Sequence, residues 1–217
     1  MWKFNSSNTF CISLINKEYR WNKMVEKFDK IKLNVTRWNA STPDNIIDNF
    51  DNSLNKFQKA CAQSHVNIWK YIVHNNLEYA FIIEDDACFD KDYFSKLEEL
   101  YTKNLLLNNN WGAIFLNSSE PLSDIFTWSK ANEQYLAGGY ILSQKGANTL
   151  LRIFNECYYS SDWMTSRLQY YESCFTYFPW LIIQEGKEST IGSNYQADHD
   201  KVIRCLDSVK YSLSNYI

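Results

Sequence analysis

One short segment, residues 79–86, restricts the fold of this chain more than any other. It reads Tyr-Ala-Phe-Ile-Ile-Glu-Asp-Asp, so an apolar run leads directly into three consecutive carboxylates. A short apolar run rich in isoleucine and aromatic residues is typical of a buried strand in a largely parallel sheet. Acids that follow such a strand repel one another, and this end of the strand is where open α/β sheets bind their ligands. The segment therefore predicts an α/β fold with a divalent cation beside a nucleotide or phosphate.

The first two thirds of the chain alternate between strand-like and helix-like patterns. This alternation predicts βαβ units and a mostly parallel central sheet flanked by helices, in a single domain over residues 1–217. Ser53 is the expected N-cap of a long helix, and the polar segment 118–133 is expected to be a mobile loop. Strands are predicted at 9–15, 31–38, 79–84, 112–116 and 136–143, and helices at 17–30, 53–75, from Asp90 or Asp92 onward, and after Ser143.

Composition and charge exclude several classes of partner. The 22 basic and 25 acidic residues give a formal net charge of -3, and no basic block is present, so nucleic acid is not an expected partner. No apolar run is long enough for a membrane span, and residues 1–10 lack the layout of a signal peptide. We therefore expect a cytoplasmic protein, with a secretory lumen left open by Asn-x-Ser/Thr sequons such as Asn117. The 6 cysteines form no Cys-x-x-Cys pair, which disfavours a zinc site or a thioredoxin-like motif. A chain of this size needs no disulfide scaffold, so free and mostly buried thiols are expected.

The three acids themselves predict the kind of metal. Glu84 and Asp86 are two residues apart on an extended chain, so both project to the same side while Asp85 points away. Carboxylate ligands favour Mn²⁺ or Mg²⁺ over zinc, with phosphate oxygens and water completing the coordination. The alternative is an acidic loop that is simply solvated at the end of a strand.

Other residues with functional chemistry each have a plain structural alternative. His65 lies on the apolar face of its helix and is either a functional group or a core histidine with a satisfied nitrogen. Gly138 and Gly139 mark either a close approach of a ligand to the backbone or a bulge. Asp162 begins a helix and is either a functional acid or an N-cap.

Taken together and in order, these segments resemble glycosyltransferase family 25. The match spans about Thr9 to Ser193 and leaves residues 194–217 as a C-terminal tail. Each motif is weak alone, but the ordered set is specific. The matching segments are Ile12-Ser13-Leu14 with Arg20, the Cys-x-x-Ser-His-x-x-x-Trp pattern from Cys61 to Trp69, residues 80–86, residues 111–116, residues 139–150, Asp162, and Pro179, Gln184, Ser189 and Ile191.

The resemblance implies a GT-A fold and a metal-dependent, inverting transfer from a UDP-sugar to a hydroxyl of a glycan or protein acceptor. Its implied metal is Mn²⁺ or Mg²⁺. Asp162 would be the general base, and His65 would orient the metal site. The implied ligands of the metal are Glu84 and Asp86, and the implied contacts to the nucleotide sugar are Ile12, Ser13, Leu14, Arg20, Asp85, Gly138 and Gly139.

Three other classes of function are compared with the sequence. A non-catalytic glycan-binding module on a degenerate transferase scaffold would not need the three clustered acids. A haloacid-dehalogenase-type phosphatase would need an Asp-x-Asp nucleophile after the first strand, where this chain has Ile15-Asn16-Lys17. A glycoside hydrolase needs two carboxylates on separate elements, which the sequence alone does not exclude.

Overall fold

The computed structural model describes residues 2–103, 105–106, 110–186 and 195–217; Ser189 and Ile191 of the resemblance lie outside these ranges. Within them, seven strands form a central sheet in the order β2-β1-β3-β7-β5-β8-β6, and two form a small sheet, β4-β9. Strands β7 and β6 run opposite to the other five of the large sheet, so the sheet is mostly parallel, as predicted. The strands are β1 (Thr9–Ser13), β2 (Thr36–Asn39), β3 (Tyr79–Glu84), β4 (Ala87–Phe89), β5 (Ala113–Phe115), β6 (Thr127–Lys130), β7 (Gly139–Ser143), β8 (Cys174–Phe178) and β9 (Ile182–Gln184).

Helices cover both faces of the large sheet. The central strand β3 shows why its sequence is apolar throughout: Phe81 and Ile83 point into the core beside α1 and α3, whereas Ala80 and Ile82 point into the core beside α2 and α4. A strand buried on both faces needs no polar side. The helices are α1 (Glu18–Ile31), α2 (Lys56–His74), α3 (Tyr93–Thr102), α4 (Gln144–Ile153), α5 (Ser161–Arg167) and α6 (Tyr195–Ser208).

The sequence-based boundaries need correction at three places. Lys32 takes the left-handed conformation (φ 55°) and ends α1, so β2 begins at Thr36 rather than at residue 31. The N-cap of α2 is Asn55 and not Ser53, because the Asn55 side chain accepts from the backbone N–H of Phe57 and Gln58. The segment 118–133, expected to be a loop, contains the edge strand β6.

The C-terminal residues, expected to be a tail, pack against the domain. Val202 and Leu206 of α6 are buried with Trp180 in a third hydrophobic cluster. Beyond α6, Ile217 exchanges two backbone hydrogen bonds of 3.0 Å with Phe89 of β4. The hydroxyl of Tyr216 donates to the carbonyl of Trp180 at 2.7 Å. In the described part of the chain, none of the helices combines the length and the apolar character that crossing a bilayer requires.

Candidate active site

A cleft opens where β1 and β3 end at the same edge of the sheet. The two strands are parallel neighbours, and their register sets Ile12 opposite Glu84, so the turns that follow them lie side by side. The cleft has a volume of about 560 Å³ and is closed on other sides by the start of α2 and by residues 40–43. Seven of the residues predicted to form the site line it: Ile12, Ser13, Leu14, Arg20, Glu84, Asp85 and Asp86.

The three acids divide into a pair and a single carboxylate. The Nε2 amide of Gln184 donates to Glu84 Oε2 at 3.1 Å and to Asp86 Oδ1 at 3.3 Å, which holds these two side chains together. Asp85 instead forms an ion pair with Arg20, whose Nη2 lies 2.5 Å from Asp85 Oδ1 and 3.6 Å from Asp86 Oδ2. Glu84 and Asp86 thus lie together, but residues 85 and 86 form a turn after β3 and not the extended chain that the sequence argument assumed.

Burial and mutual repulsion perturb the protonation of these groups. Burial, together with the neighbouring Glu84, raises the pKa of Asp86 from its ordinary value of 3.8 to about 7, although Arg20 opposes the shift. Burial likewise raises the pKa of Asp85, against the lowering effect of Arg20. Burial alone would lower the pKa of Arg20, but Asp85 and Asp86 outweigh it and the pKa is raised, so the guanidinium stays charged. Raised carboxylate pKa values in a cleft are typical of functional sites.

His65 lies directly behind the acids and is fully buried on α2. Its Nε2 is 3.2 Å from Glu84 Oε1, and its Nδ1 is 2.9 Å from the hydroxyl of Tyr140. The indole N–H of Trp69, which can only donate, gives its proton to the same hydroxyl at 2.9 Å. The Tyr140 hydroxyl can then donate its own hydrogen bond to Nδ1 of His65. Nδ1 therefore carries no proton, and the imidazole proton lies on Nε2, which faces Glu84. This chain of hydrogen bonds fixes the carboxylate of Glu84.

The two glycines fill a packing role beneath the cleft and do not line it. The Gly138 carbonyl accepts from the backbone N–H of Glu84 at 3.0 Å. A Cβ at Gly138 would lie 2.8 Å from Asn117 Oδ1 and 3.0 Å from the Gln184 side chain, and a Cβ at Gly139 would overlap Ile182. The close approach at these positions therefore comes from the protein itself, and direct contact with a nucleotide sugar stays a prediction.

Asp162 is partly exposed near the start of α5 and is not among the residues that line the cleft. The preceding Ser161 has its Oγ 3.8 Å from the Sγ of Cys61, a residue that does line the cleft. Asp162 also contributes, after burial, to the raised pKa of Asp198 on α6. Asp162 is thus near Cys61, whose pKa it helps to raise after burial and Glu84, and its role as a base stays a prediction.

Two residues matter more than the sequence indicated. Gln184 belongs to the segments that resemble the family, but the resemblance assigned it no role. The pairing of β9 with β4 brings it to the acids, where it hydrogen-bonds to both Glu84 and Asp86. Cys61, expected to be a plain buried thiol, lies in the wall of the cleft. Its spacing of four residues from His65 on one helix was the available signal. All six cysteines are free, as predicted.

Comparison with known proteins finds glycosyltransferases whose sequences are similar to this chain. A candidate glycosyltransferase of Haemophilus influenzae is 28% identical over 163 residues, which cover 68% of this chain and 58% of that protein. Procollagen galactosyltransferase 1-B of Xenopus laevis is 29% identical over 106 residues, covering 45% of this chain and 17% of that protein. The lacto-N-neotetraose biosynthesis glycosyltransferase LgtE of Neisseria meningitidis is 26% identical over 200 residues, covering 72% of this chain and 65% of that protein.

The family comparison covers more than half of the chain. The sequence profile described as glycosyltransferase family 25 (LPS biosynthesis protein) matches residues 6–165 of 217. This range contains β1, the Cys61–His65 turn of α2, and the acids after β3, which are the elements that build the cleft. The chain therefore belongs to glycosyltransferase family 25.

Proposed function

We propose that this chain transfers a sugar from a UDP-sugar to a hydroxyl of a glycan or protein acceptor, in a metal-dependent reaction that inverts the anomeric centre. The observation that carries the proposal is the cluster of three carboxylates in a cleft at the carboxyl ends of β1 and β3. This edge is where a parallel sheet binds nucleotides. Membership of a family of glycosyltransferases supports the reaction class.

The residues present fit a divalent cation. Glu84, Asp85, Asp86 and Arg20 carry a formal charge of -2 when all four are ionised, and the raised pKa of Asp86 has burial and Glu84 as its main causes. Their donors are carboxylate oxygens, which suit Mn²⁺ or Mg²⁺. Glu84 and Asp86 would hold the metal, because Gln184 already joins them. Bound there, such a cation would neutralise the charge that develops on the departing diphosphate.

The nucleotide would lie along the turn after β1. The segment Ile12-Ser13-Leu14 lines the cleft, and Arg20 on α1 faces it from the same side. The hydroxyl of Ser13 is buried in this wall of the cleft beside Asp85, and its hydrogen bond lowers the pKa of that carboxyl, although burial raises it more. Arg20 is held in the cleft by Asp85, which places its charge where phosphate groups would lie.

Asp162 and His65 would have distinct roles. Asp162, near Cys61 in the wall of the cleft, would accept the proton of the acceptor hydroxyl as that oxygen attacks the anomeric carbon. His65 would not touch substrate. It donates its Nε2 proton to Glu84 and so keeps that carboxylate in place beside Asp86. Since the charge on the leaving group is neutralised electrostatically, no protonated leaving group is needed.

The names of the relatives indicate only the chemical class of the acceptor, a glycan or a protein. The match to LgtE covers 72% of this chain, and LgtE is named for the synthesis of an oligosaccharide. The procollagen relative is named for a protein acceptor. The longer match favours a glycan acceptor. The chain spans only 58% of the Haemophilus relative and 17% of the Xenopus relative, so most of the Xenopus protein has no counterpart in this match.

The test is a panel of nucleotide sugars with the purified chain. We expect hydrolysis or transfer of one UDP-sugar that requires Mn²⁺ or Mg²⁺, is abolished by EDTA, and is lost in Asp86→Asn. The control variant Asp124→Asn changes an exposed aspartate outside the cleft and should keep full turnover. Turnover that persists in EDTA or in Asp86→Asn would refute the metal assignment. Retention of the anomeric configuration in the product, seen by NMR, would refute the one-step displacement.

A further inference from the structure

A second group of potential metal ligands lies on the inner side of Glu84. Cys61, His65 and Glu84 each offer one ligand atom, and these atoms all lie within 4.8 Å of one another. Cys61 and His65 are one turn apart on α2, so their side chains project from the same face. Glu84 comes from the end of β3 and completes the group. A helix and a strand therefore bring a sulfur, a nitrogen and an oxygen ligand to one point.

The chemistry of this group differs from that of the acidic pair. A thiolate and an imidazole are softer ligands than carboxylates, and together with one carboxylate they suit zinc rather than Mn²⁺ or Mg²⁺. Three protein ligands with an open fourth position are typical of zinc sites that admit water or substrate. Cys61 and Glu84 line the cleft, so the open position would face it.

The surroundings already contain the supporting contacts that metal-binding side chains need. The Nδ1 of His65 is held by the Tyr140 hydroxyl at 2.9 Å, which aims Nε2 toward Glu84 and Cys61. This hydroxyl can donate or accept, so it serves either tautomer of the imidazole. The other oxygen of Glu84 is held by Gln184 at 3.1 Å. Such partners of the ligands orient them and tune the affinity of a metal site.

Glu84 separates this group from the acidic pair. Its Oε1 faces His65, whereas its Oε2 shares Gln184 with Asp86. One carboxylate thus has one oxygen on each side, and the two groups present different donor sets to the same cleft. The inner group needs neither Asp86 nor any nucleotide, and its existence does not depend on the proposed transferase reaction.

We propose that Cys61, His65 and Glu84 form a zinc site, distinct from the Mn²⁺ or Mg²⁺ site proposed above. Binding replaces the thiol proton of Cys61, which is released to solvent, by a bond from sulfur to zinc. His65 would bind zinc through Nε2 as the tautomer that carries its proton on Nδ1, where the Tyr140 hydroxyl accepts the hydrogen bond. Zinc in this site would fix Glu84 Oε1 by coordination in place of its hydrogen bond to His65. The site would thereby control the orientation of the carboxylate that also faces Asp86.

The test uses Co²⁺ as a spectroscopic probe of the reduced, metal-free protein. We expect one equivalent of Co²⁺ to produce a thiolate-to-cobalt charge-transfer band in the near ultraviolet, and zinc to displace it. The band should be lost in Cys61→Ser and kept in Cys157→Ser, a matched control in which another partly buried cysteine is changed. No band in the wild-type protein, or a band that survives Cys61→Ser, would overturn the proposal.

A second measurement uses the wild-type protein alone, so it does not depend on the folding of a variant. Mass spectrometry follows alkylation of Cys61 and Cys157 by iodoacetamide, with and without zinc. We expect zinc to slow the reaction at Cys61 and to leave Cys157 unchanged; equal rates at Cys61 in both conditions would contradict the site. If the protein binds no zinc at Cys61, turnover supported by Mn²⁺ should still be seen. If the protein has no transferase activity, the cobalt band should still be seen.

Discussion

Replacing Asp86 by asparagine should stabilise the metal-free protein at neutral and alkaline pH. The native environment, through burial and the neighbouring Glu84, raises the pKa of Asp86 from 3.8 to about 7. Ionised Asp86 is therefore less favourable in the folded state than in the unfolded state. Asparagine keeps the shape of the side chain and an oxygen for the Gln184 bond, but it removes the charge.

The sign and the size follow from proton linkage. Between pH 4 and pH 7 the folded state keeps the Asp86 proton and the unfolded state has lost it, so this residue makes stability fall as the pH rises. Each pH unit in this window corresponds to about 1.4 kcal/mol. Because Asp86 is already half ionised near pH 7 in the folded state, its contribution to the free energy of unfolding falls by about 2 kcal/mol from pH 5 to pH 7, and this fall is absent from Asp86→Asn.

The assay is urea unfolding in EDTA and reductant at pH 5, 6, 7 and 8 for wild type, Asp86→Asn and the exposed control Asp124→Asn. We expect the stability of wild type and control to fall more steeply with pH than that of Asp86→Asn. Adding Mn²⁺ should reverse the order at pH 8, because only proteins with intact ligands gain binding energy. Parallel pH profiles for wild type and Asp86→Asn would refute the electrostatic argument.

Three further changes test other parts of the structure. Asn55→Ala should cost about 1 kcal/mol of stability through loss of the α2 cap, whereas Ser53→Ala should cost much less; equal losses in urea unfolding would contradict the assignment of the cap. Asp90→Ala should cost about 3–5 kcal/mol, because Asp90 is buried and paired with a lysine at 2.7 Å; a loss under about 1 kcal/mol would show that this ion pair contributes little. Asp162→Asn should lower kcat by about 10²–10⁴-fold and leave the affinity for UDP unchanged. The exposed Asp207→Asn serves as the control and should keep the wild-type kcat. An unchanged kcat in Asp162→Asn would show that Asp162 is not the general base.

The sequence predicted the elements that build the cleft because their patterns are local. An apolar run that ends in acids indicates a strand buried on both faces, and the structure shows Phe81 and Ile82 in cores on opposite sides of the sheet. The serine before α4 was recognised as its cap because a Ser143 side chain that accepts from the Gly146 N–H is a short-range contact. Such features depend on neighbours within a few residues.

The features that the sequence did not predict depend on distant contacts. Strands β4 and β9 have three residues each, too few for a recognisable pattern, and they become strands by pairing with each other. This pairing brings Gln184 to the acids, so the residue that joins Glu84 to Asp86 could not be identified from spacing. Asn117, Gln184 and Ile182, which come from other segments, fill the space beside Gly138 and Gly139, and the spacing of the glycines did not indicate these contacts.

The central claim is that the acids after β3 hold a divalent cation together with a nucleoside diphosphate. Crystals of the wild-type protein grown with MnCl₂ and UDP, measured on both sides of the manganese absorption edge, test it directly. We expect an anomalous peak between the carboxylates of Glu84 and Asp86, with diphosphate density beside Arg20 and the turn after β1. Ordered UDP without a manganese peak at these carboxylates, or manganese bound elsewhere in the cleft, would contradict it.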